Sequence, residues 1–149
     1  MFQINLPPFD TNIQMRQGKP RIFDVLRRRF VAVTPEEWVR QHFIHYLIDH
    51  KGYPQALLAN EISLTLNGMW RRCDSVLYTA DMQPRMIMEY KAPSVAITQE
   101  VFNQICAYNA VLRVPYLTVS NGLTHYCCHI DYDTNTTTFL PDIPEYSQL

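Results

Sequence analysis

Glycine is scarce in this chain, with only four among 149 residues, at positions 18, 52, 68 and 122. None lies near another, which excludes a glycine-rich loop able to cradle a nucleotide phosphate. Long apolar runs are missing as well. No stretch approaches the length that spans a bilayer, and the N-terminus lacks the charged start and apolar run of a signal peptide, so no membrane partner is expected and the cytoplasm is the default compartment. The four cysteines, Cys73, Cys106, Cys127 and Cys128, are too few and too irregularly spaced for a secreted disulfide framework, which points to reduced thiols. Nor is there an excess of charge of one sign. Thirteen Lys and Arg against fourteen Asp and Glu leave a formal charge of -1, which argues against strong nonspecific affinity for nucleic acid, since that needs clustered cations. A neutral total can still hide a patch: Arg27, Arg28 and Arg29 run together, and Arg71 and Arg72 stand just before Asp74. On charge alone, such runs read as solvated faces.

What is present is an ordinary globular composition. Apolar residues make up 47% and charged residues 18% of a chain long enough to bury a core without disulfides or a structural metal. Pro7, Pro8 and Gly18, with no sustained periodicity around them, suggest an extended N-terminal arm over residues 1–21, followed by a single domain over 22–149. Thr34-Pro35-Glu36-Glu37 is a helix start, with a capping Thr, Pro at the first helical position and Glu37 where a capping box places its acid. Trp38, Phe43, Tyr46 and Leu47 supply the apolar face, and Gly52 with Pro54 ends the segment. From Leu57 to Tyr78 the pattern shifts to branched and aromatic runs around Asn67-Gly68, a tight hairpin turn. A second break at Asp81–Pro84 sets off a third strand, Arg85 to Lys91. Thr98 to Leu112 reads as a helix with Val101, Ile105, Tyr108 and Leu112 along one stripe. Strands over Tyr116 to Ser120, Thr124 to Asp131 and Thr136 to Leu140 follow.

A Glu-x-Lys triplet is common, and placement is what lends weight to Glu89-Tyr90-Lys91. If the third hairpin turns about Met82 and Gln83, facing residues have numbers summing to 165, so Asp74 opposes Lys91 and Val76 opposes Glu89. Opposed residues share a face, as do residues two apart in a strand, so Asp74, Glu89 and Lys91 would project together. A slip of one residue would turn Asp74 away. Two carboxylates and an ammonium group on a half-buried face are costly to desolvate unless they pair or bind something. Two readings fit. One is a structural Asp74–Lys91 cross-strand pair with Glu89 in solvent. The other is a site for Mg²⁺, which takes oxygen ligands, commonly one or two carboxylates plus phosphate oxygens, and suits phosphodiester hydrolysis with Lys91 offsetting developing charge.

Asp74, fourteen intervening residues, Glu89-Tyr90-Lys91 and then Gln104-Ile105-Cys106-Ala107-Tyr108 on a helix resemble the PD-(D/E)XK nuclease superfamily, in its Gln-x-x-x-Tyr subset. Phe23-Asp24-Val25-Leu26-Arg27, Thr34 through Gln41, Glu89 through Pro93, Tyr108-Asn109-Ala110-Val111 and Ser120-Asn121-Gly122 resemble the N-terminal domain of type I restriction enzyme R subunits and its standalone relatives, from about Ile22 to Tyr146. The resemblance implies an α/β, restriction-endonuclease-like αβββαβ core with a central mixed sheet flanked by helices. It implies Asp74, Glu89 and the Tyr90 carbonyl as metal ligands, with Glu37 a further acid pointed at the metal, and Lys91, Gln104 and Tyr108 completing the catalytic set. It also implies Mg²⁺, or Mn²⁺, as cofactor and DNA as partner in restriction or repair. Cys73 stands where the superfamily name has Pro, which bears on strand entry more than on metal binding. Type I subunits continue into a helicase-like translocase with no counterpart here, so ATP-driven translocation is not expected. The domain would act alone or with a helicase or specificity subunit. Cutting both strands from one site per chain suits a homodimer. The alternative is a non-catalytic DNA-binding or assembly subunit that keeps the fold.

Two other groups carry less. His125, Cys127, Cys128 and His129 include zinc-ligand types, but on a strand neighbours point to opposite faces and cannot converge. Cys106 within the helix reads as a buried thiol rather than a nucleophile.

Overall fold

The computed structural model describes residues 1–149. Three strands open the chain: β1 (Ile13–Arg16), β2 (Lys19–Asp24) and β3 (Arg29–Ala32), paired antiparallel in the order β1-β2-β3 as a small separate sheet. The expected arm over residues 1–21 is therefore extended only in its first dozen residues, and even these are tied down. Asn5 donates its backbone N–H to the Gly122 carbonyl at 2.9 Å, Trp38 Nε1 donates to the Phe2 carbonyl at 3.1 Å, and Leu6 is buried in the main core. Residues 13–21 enter strands because Gln17 and Gly18 both take positive φ, 51° and 74°, and turn the chain tightly between β1 and β2.

Helix α1 (Pro35–His50) starts where the sequence expects it. Thr34 is the N-cap, and its hydroxyl accepts from the Glu37 N–H at 3.1 Å. The reciprocal half of the capping box is not made, because both Glu37 oxygens are engaged elsewhere, as described below. Strands β4 (Leu58–Leu66), β5 (Met69–Tyr78) and β6 (Pro84–Tyr90) form an antiparallel meander, with Asn67 and Gly68 at φ 54° and 74° in the first turn. Helix α2 (Gln99–Ala110), capped by Thr98, crosses to β7 (Tyr116–Ser120), which pairs parallel to β6. Strands β8 (His125–Asp131) and β9 (Thr136–Phe139) close an antiparallel edge, giving one mixed six-stranded sheet in the order β4 to β9.

The sheet is covered on both faces, which is the expected αβββαβ arrangement. On one face Leu58, Leu77, Met86, Met88, Tyr90 and Cys127 pack against Val39, Phe43 and Leu47 of α1. On the other, Val76, Ile87, Leu117, Val119 and Cys128 pack with Phe102 of α2 and Leu112. The apolar stripe of α2 is rotated from the one expected: Phe102 and Asn109 are the buried positions of the helix, while Tyr108 is 46% exposed. The sheet takes Phe102, which has no hydroxyl to desolvate, and Tyr108 is turned outward.

A candidate two-carboxylate site

The site lies where β5, β6 and α2 meet. Facing residues of β5 and β6 have numbers that sum to 163: Ser75 opposes Met88, Val76 opposes Ile87 and Leu77 opposes Met86. The expected register, with Asp74 opposite Lys91, is displaced by two. The turn is asymmetric, with an irregularity between Leu77 and Tyr78 and a loop held by Thr79, whose carbonyl accepts from Met82 N–H at 2.9 Å and whose N–H donates to Gln83 O at 2.8 Å. An even displacement preserves the face. It sets Asp74 against Glu89 rather than against Lys91, so the two acids become neighbours instead of a cross-strand ion pair.

The electrostatics follow from that adjacency. Asp74 Oδ2 accepts from the Tyr90 N–H at 2.9 Å, which fixes one carboxylate oxygen at the end of β6. Burial, the Asp74 charge and a hydrogen bond to Asp74 push the Glu89 carboxyl up to about 9 from its ordinary 4.5, only partly offset by Asn109 and Lys91. Glu89 Oε1 is buried without a hydrogen-bond partner, and so is Asn109 Oδ1 beside it. Unpartnered buried oxygens are rare and costly, and here one belongs to an acid set beside another acid. Burial together with the nearby Glu89 and Asp74 charges pushes the Cys73 thiol up to about 12, which keeps it protonated.

Glu89, Lys91, Gln104 and Tyr108 line one open cleft of about 290 Å³, floored by Val101, Ile105 and Asn109. Four of the five expected catalytic residues thus share a surface, and Asp74 adjoins it through Glu89. Gln104 and Tyr108 reach the cleft because they sit one helical turn apart on the side of α2 turned from the core. Tyr108 is held by Arg71, whose guanidinium stands 4.7 Å over its ring and whose Nε donates to the Tyr108 carbonyl at 3.0 Å. Tyr90 sends its side chain to the opposite face, where the hydroxyl donates to Ser75 Oγ at 3.0 Å. Only its backbone, whose N–H already donates to Asp74, adjoins the carboxylates.

Glu37 is not brought to the pair. Its Oε1 accepts from Arg27 Nη2 at 2.6 Å, and its Oε2 accepts from Arg40 Nε and Gln41 Nε2, each at 3.0 Å. It acts on the site through Arg40, a residue the sequence reading passed over. Arg40 Nη1 donates to the Asp74 carbonyl at 2.8 Å, and Nη2 pairs with Glu61 at 2.6 Å. Burial pulls the Arg40 guanidinium down, but the charges of Glu37 and Glu61 more than reverse this. The pairing of β4 with β5 passes from Asn60–Ser75 to Ile62–Cys73, and Glu61 between them has φ 52°, so the Asp74 carbonyl turns to Arg40. Arg40 was legible as a cation three residues after Glu37, on a helix face otherwise buried.

The histidines and cysteines of β8 diverge. Cys127 enters the α1 side of the core and Cys128 the α2 side, while His125 Nδ1 meets Ser120 Oγ and its Nε2 meets Asn5 Oδ1, both at 2.7 Å. No cluster of three or more His, Cys, Asp or Glu side chains able to hold a metal forms in the chain. Asp74 and Glu89 are a two-carboxylate arrangement.

The family model of the type I restriction enzyme R protein N terminus matches residues 35–144, most of the chain and both carboxylates. The chain belongs to that family. Among solved structures, it resembles a fragment described as an HsdR subunit of a type I restriction enzyme from Vibrio vulnificus YJ016, with 20% identity, a TM-score of 0.53 and 78% of this chain covered. A weaker likeness, with 17% identity, a TM-score of 0.45 and 73% of this chain covered, is to the cryo-EM structure of a DrdV–DNA complex. The chain spans 25% of the Vibrio chain and 11% of the DrdV chain. No curated protein matches it. No helix of this R-protein N-terminal domain is long and apolar enough to cross a membrane.

Proposed function

We propose that this domain is a metal-dependent nuclease that hydrolyses DNA phosphodiester bonds in a restriction or repair setting. The observation that carries the proposal is the orphaned Glu89 oxygen beside Asp74, at the edge of a cleft that also holds Lys91, Gln104 and Tyr108. A divalent cation fits this donor set: the ligands are oxygens, there are two carboxylates, and one carboxyl lacks the donor that burial demands. Asp74 and Glu89, with the Tyr90 carbonyl as a third oxygen, would hold Mg²⁺ or Mn²⁺. When bound, such an ion polarises a phosphoryl oxygen and lowers the pKa of water.

The chain's own groups do the rest. The Tyr90 N–H and Arg40 hold Asp74 by its carboxylate and its carbonyl, so the carboxylate does not have to reorganise. The Lys91 ammonium, two residues from Glu89 on the same face, donates to an attacking water and offsets charge developing on the phosphate. Gln104 and Tyr108 present an amide and a phenol to the phosphate backbone at the mouth of the cleft.

The test incubates the protein with duplex DNA and Mg²⁺ or Mn²⁺, beside Lys91→Ala. Metal-dependent cleavage that Lys91→Ala loses by two orders of magnitude or more is expected on the scale of such electrostatic groups. Cleavage without a divalent ion, or equal cleavage by the variant, refutes the assigned centre. A DNA-contacting assembly role without hydrolysis is the second reading, favoured by Glu37, whose carboxylate is engaged by Arg27 and Arg40 and does not join the pair. It predicts DNA binding with no cleavage and no calorimetric heat on adding divalent cation.

A further inference from the structure

The near-zero charge of the chain conceals a division. Residues 1–33 hold six Lys and Arg against two acids, a formal +4, while residues 34–149 hold seven against twelve, a formal -5. Most of the positive set lies on the small sheet. Register places Gln14 opposite Arg21 and Arg16 opposite Lys19, and Arg21 opposite Ala32. Strand alternation puts Arg16, Lys19 and Arg21 on the face turned away from Ile22 and Val31, which pack on Trp38 of α1. The three cations line one surface groove of about 410 Å³. Phe23 and Phe30, 5.3 Å apart, continue the same face.

Two features argue against a merely solvated face. Like charges directly opposite each other on adjacent strands are destabilising, and Arg16 with Lys19 is such a pair at the end of a two-strand ladder, where folding gains nothing from it. None of Arg16, Lys19, Arg21, Arg28 or Arg29 has a carboxylate within salt-bridge distance, whereas Arg27, in the same segment, is paired to Asp24 and Glu37. The cations that folding uses are satisfied. Arg16, Lys19 and Arg21 share one face with no counter-charge, while Arg29, opposite Asp24, lies on the other.

We propose that the Arg16–Lys19–Arg21 face of the β1-β2-β3 sheet is a second contact surface of the domain, which takes the phosphate backbone of duplex DNA and holds it against the molecule independently of base sequence. The proposal rests on the nuclease reading for the choice of DNA as polyanion. β2 connects the face to the site: Asp24, at its end, accepts from Asn60 Nδ2 at 3.0 Å, and Asn60 accepts from Ser75 Oγ at 2.6 Å, one residue from Asp74.

The test measures binding of a fluorescent duplex to the full chain in EDTA across a salt series, for wild type, Arg16→Ala/Lys19→Ala/Arg21→Ala and Arg16→Lys/Arg21→Lys. Each phosphate contact adds about 0.9 to the slope of log affinity against log salt. The triple alanine variant should lower the slope by about 2.7, and the lysine variant should keep it. The substituted side chains lie outside the core, and an unchanged thermal midpoint verifies folding. An unchanged slope in the alanine variant, or no binding by wild type, overturns the proposal. A slope that falls as expected while no divalent ion produces cleavage supports this surface and sinks the nuclease reading. Lys91-dependent cleavage with an unchanged slope does the reverse.

Discussion

Replacing Glu89 by Gln isolates the cost of placing a second acid beside Asp74. With its carboxyl raised to about 9 in the folded chain and 4.5 as its ordinary value, the folded state holds one more proton than the unfolded state between those limits. The stabilisation this proton represents is complete below about pH 4.5 and is lost as pH rises toward 9, at about 1.4 kcal/mol per pH unit. From pH 6 to pH 8 the wild type should therefore lose about 3 kcal/mol relative to Glu89→Gln, whose amide copies the shape of the protonated acid and does not ionise. Urea denaturation in EDTA at pH 6, 7 and 8 reads this as a double difference. That matters because His42, His45 and His125, lowered by burial, gain stability as pH rises to the ordinary histidine value near 6.5, and this background cancels between the two proteins. Parallel pH profiles for wild type and Glu89→Gln would refute the orphaned-acid account of the site. If divalent cation binds the ionised pair, its apparent affinity should climb about tenfold per pH unit over the same window, with proton release in calorimetry, and Glu89→Gln should lose this pH dependence.

Other outcomes follow from neighbouring groups. Asp74→Asn removes the charge beside Glu89 and should move the pH-dependent loss of stability to lower pH, read from the same denaturation series. Arg40→Met leaves Glu37 to Arg27 and Glu61 to Arg72 but strips the Asp74 carbonyl of its donor, and should cost about 1–3 kcal/mol in urea unfolding at pH 7. Phe102→Ala opens the α2 side of the core, where Phe102 is 5% exposed, and should cost about 3–5 kcal/mol. Gly122 has φ 84°, and an added Cβ would lie 2.6 Å from Ile4 Cγ2 and 3.1 Å from Val39 Cγ2, so Gly122→Ala should lower the thermal midpoint and loosen the N-terminal segment to proteolysis.

Much of the architecture was written locally. Thr34 with Pro35 starts α1, Asn67-Gly68 turns β4 into β5, and Pro84 opens β6, each because a single residue's backbone preference or side-chain acceptor decides the local path. Spacing and strand parity also brought Asp74, Glu89 and Lys91 to one face, and parity survived a register two residues away from the expected one because two is the strand period. The small N-terminal sheet was hidden, since β1 is exposed throughout and only four residues long, too short for its Ile13-Gln14-Met15-Arg16 alternation to stand out. Cation placement on that sheet was hidden for the same reason: a count of charges contains no register.

The sequence by itself determined the order of elements from α1 onward and the faces of its strands, because these depend on residues near one another in the chain. Tertiary structure alone decided that Asp74 stands beside Glu89 rather than Lys91, that Glu37 spends its charge on Arg27 and Arg40, and that Tyr108 lines the cleft instead of the core. Each of those outcomes turns on a competition between distant groups: which donor reaches a buried oxygen first, and which large side chain, Phe102 or Tyr108, the sheet accepts.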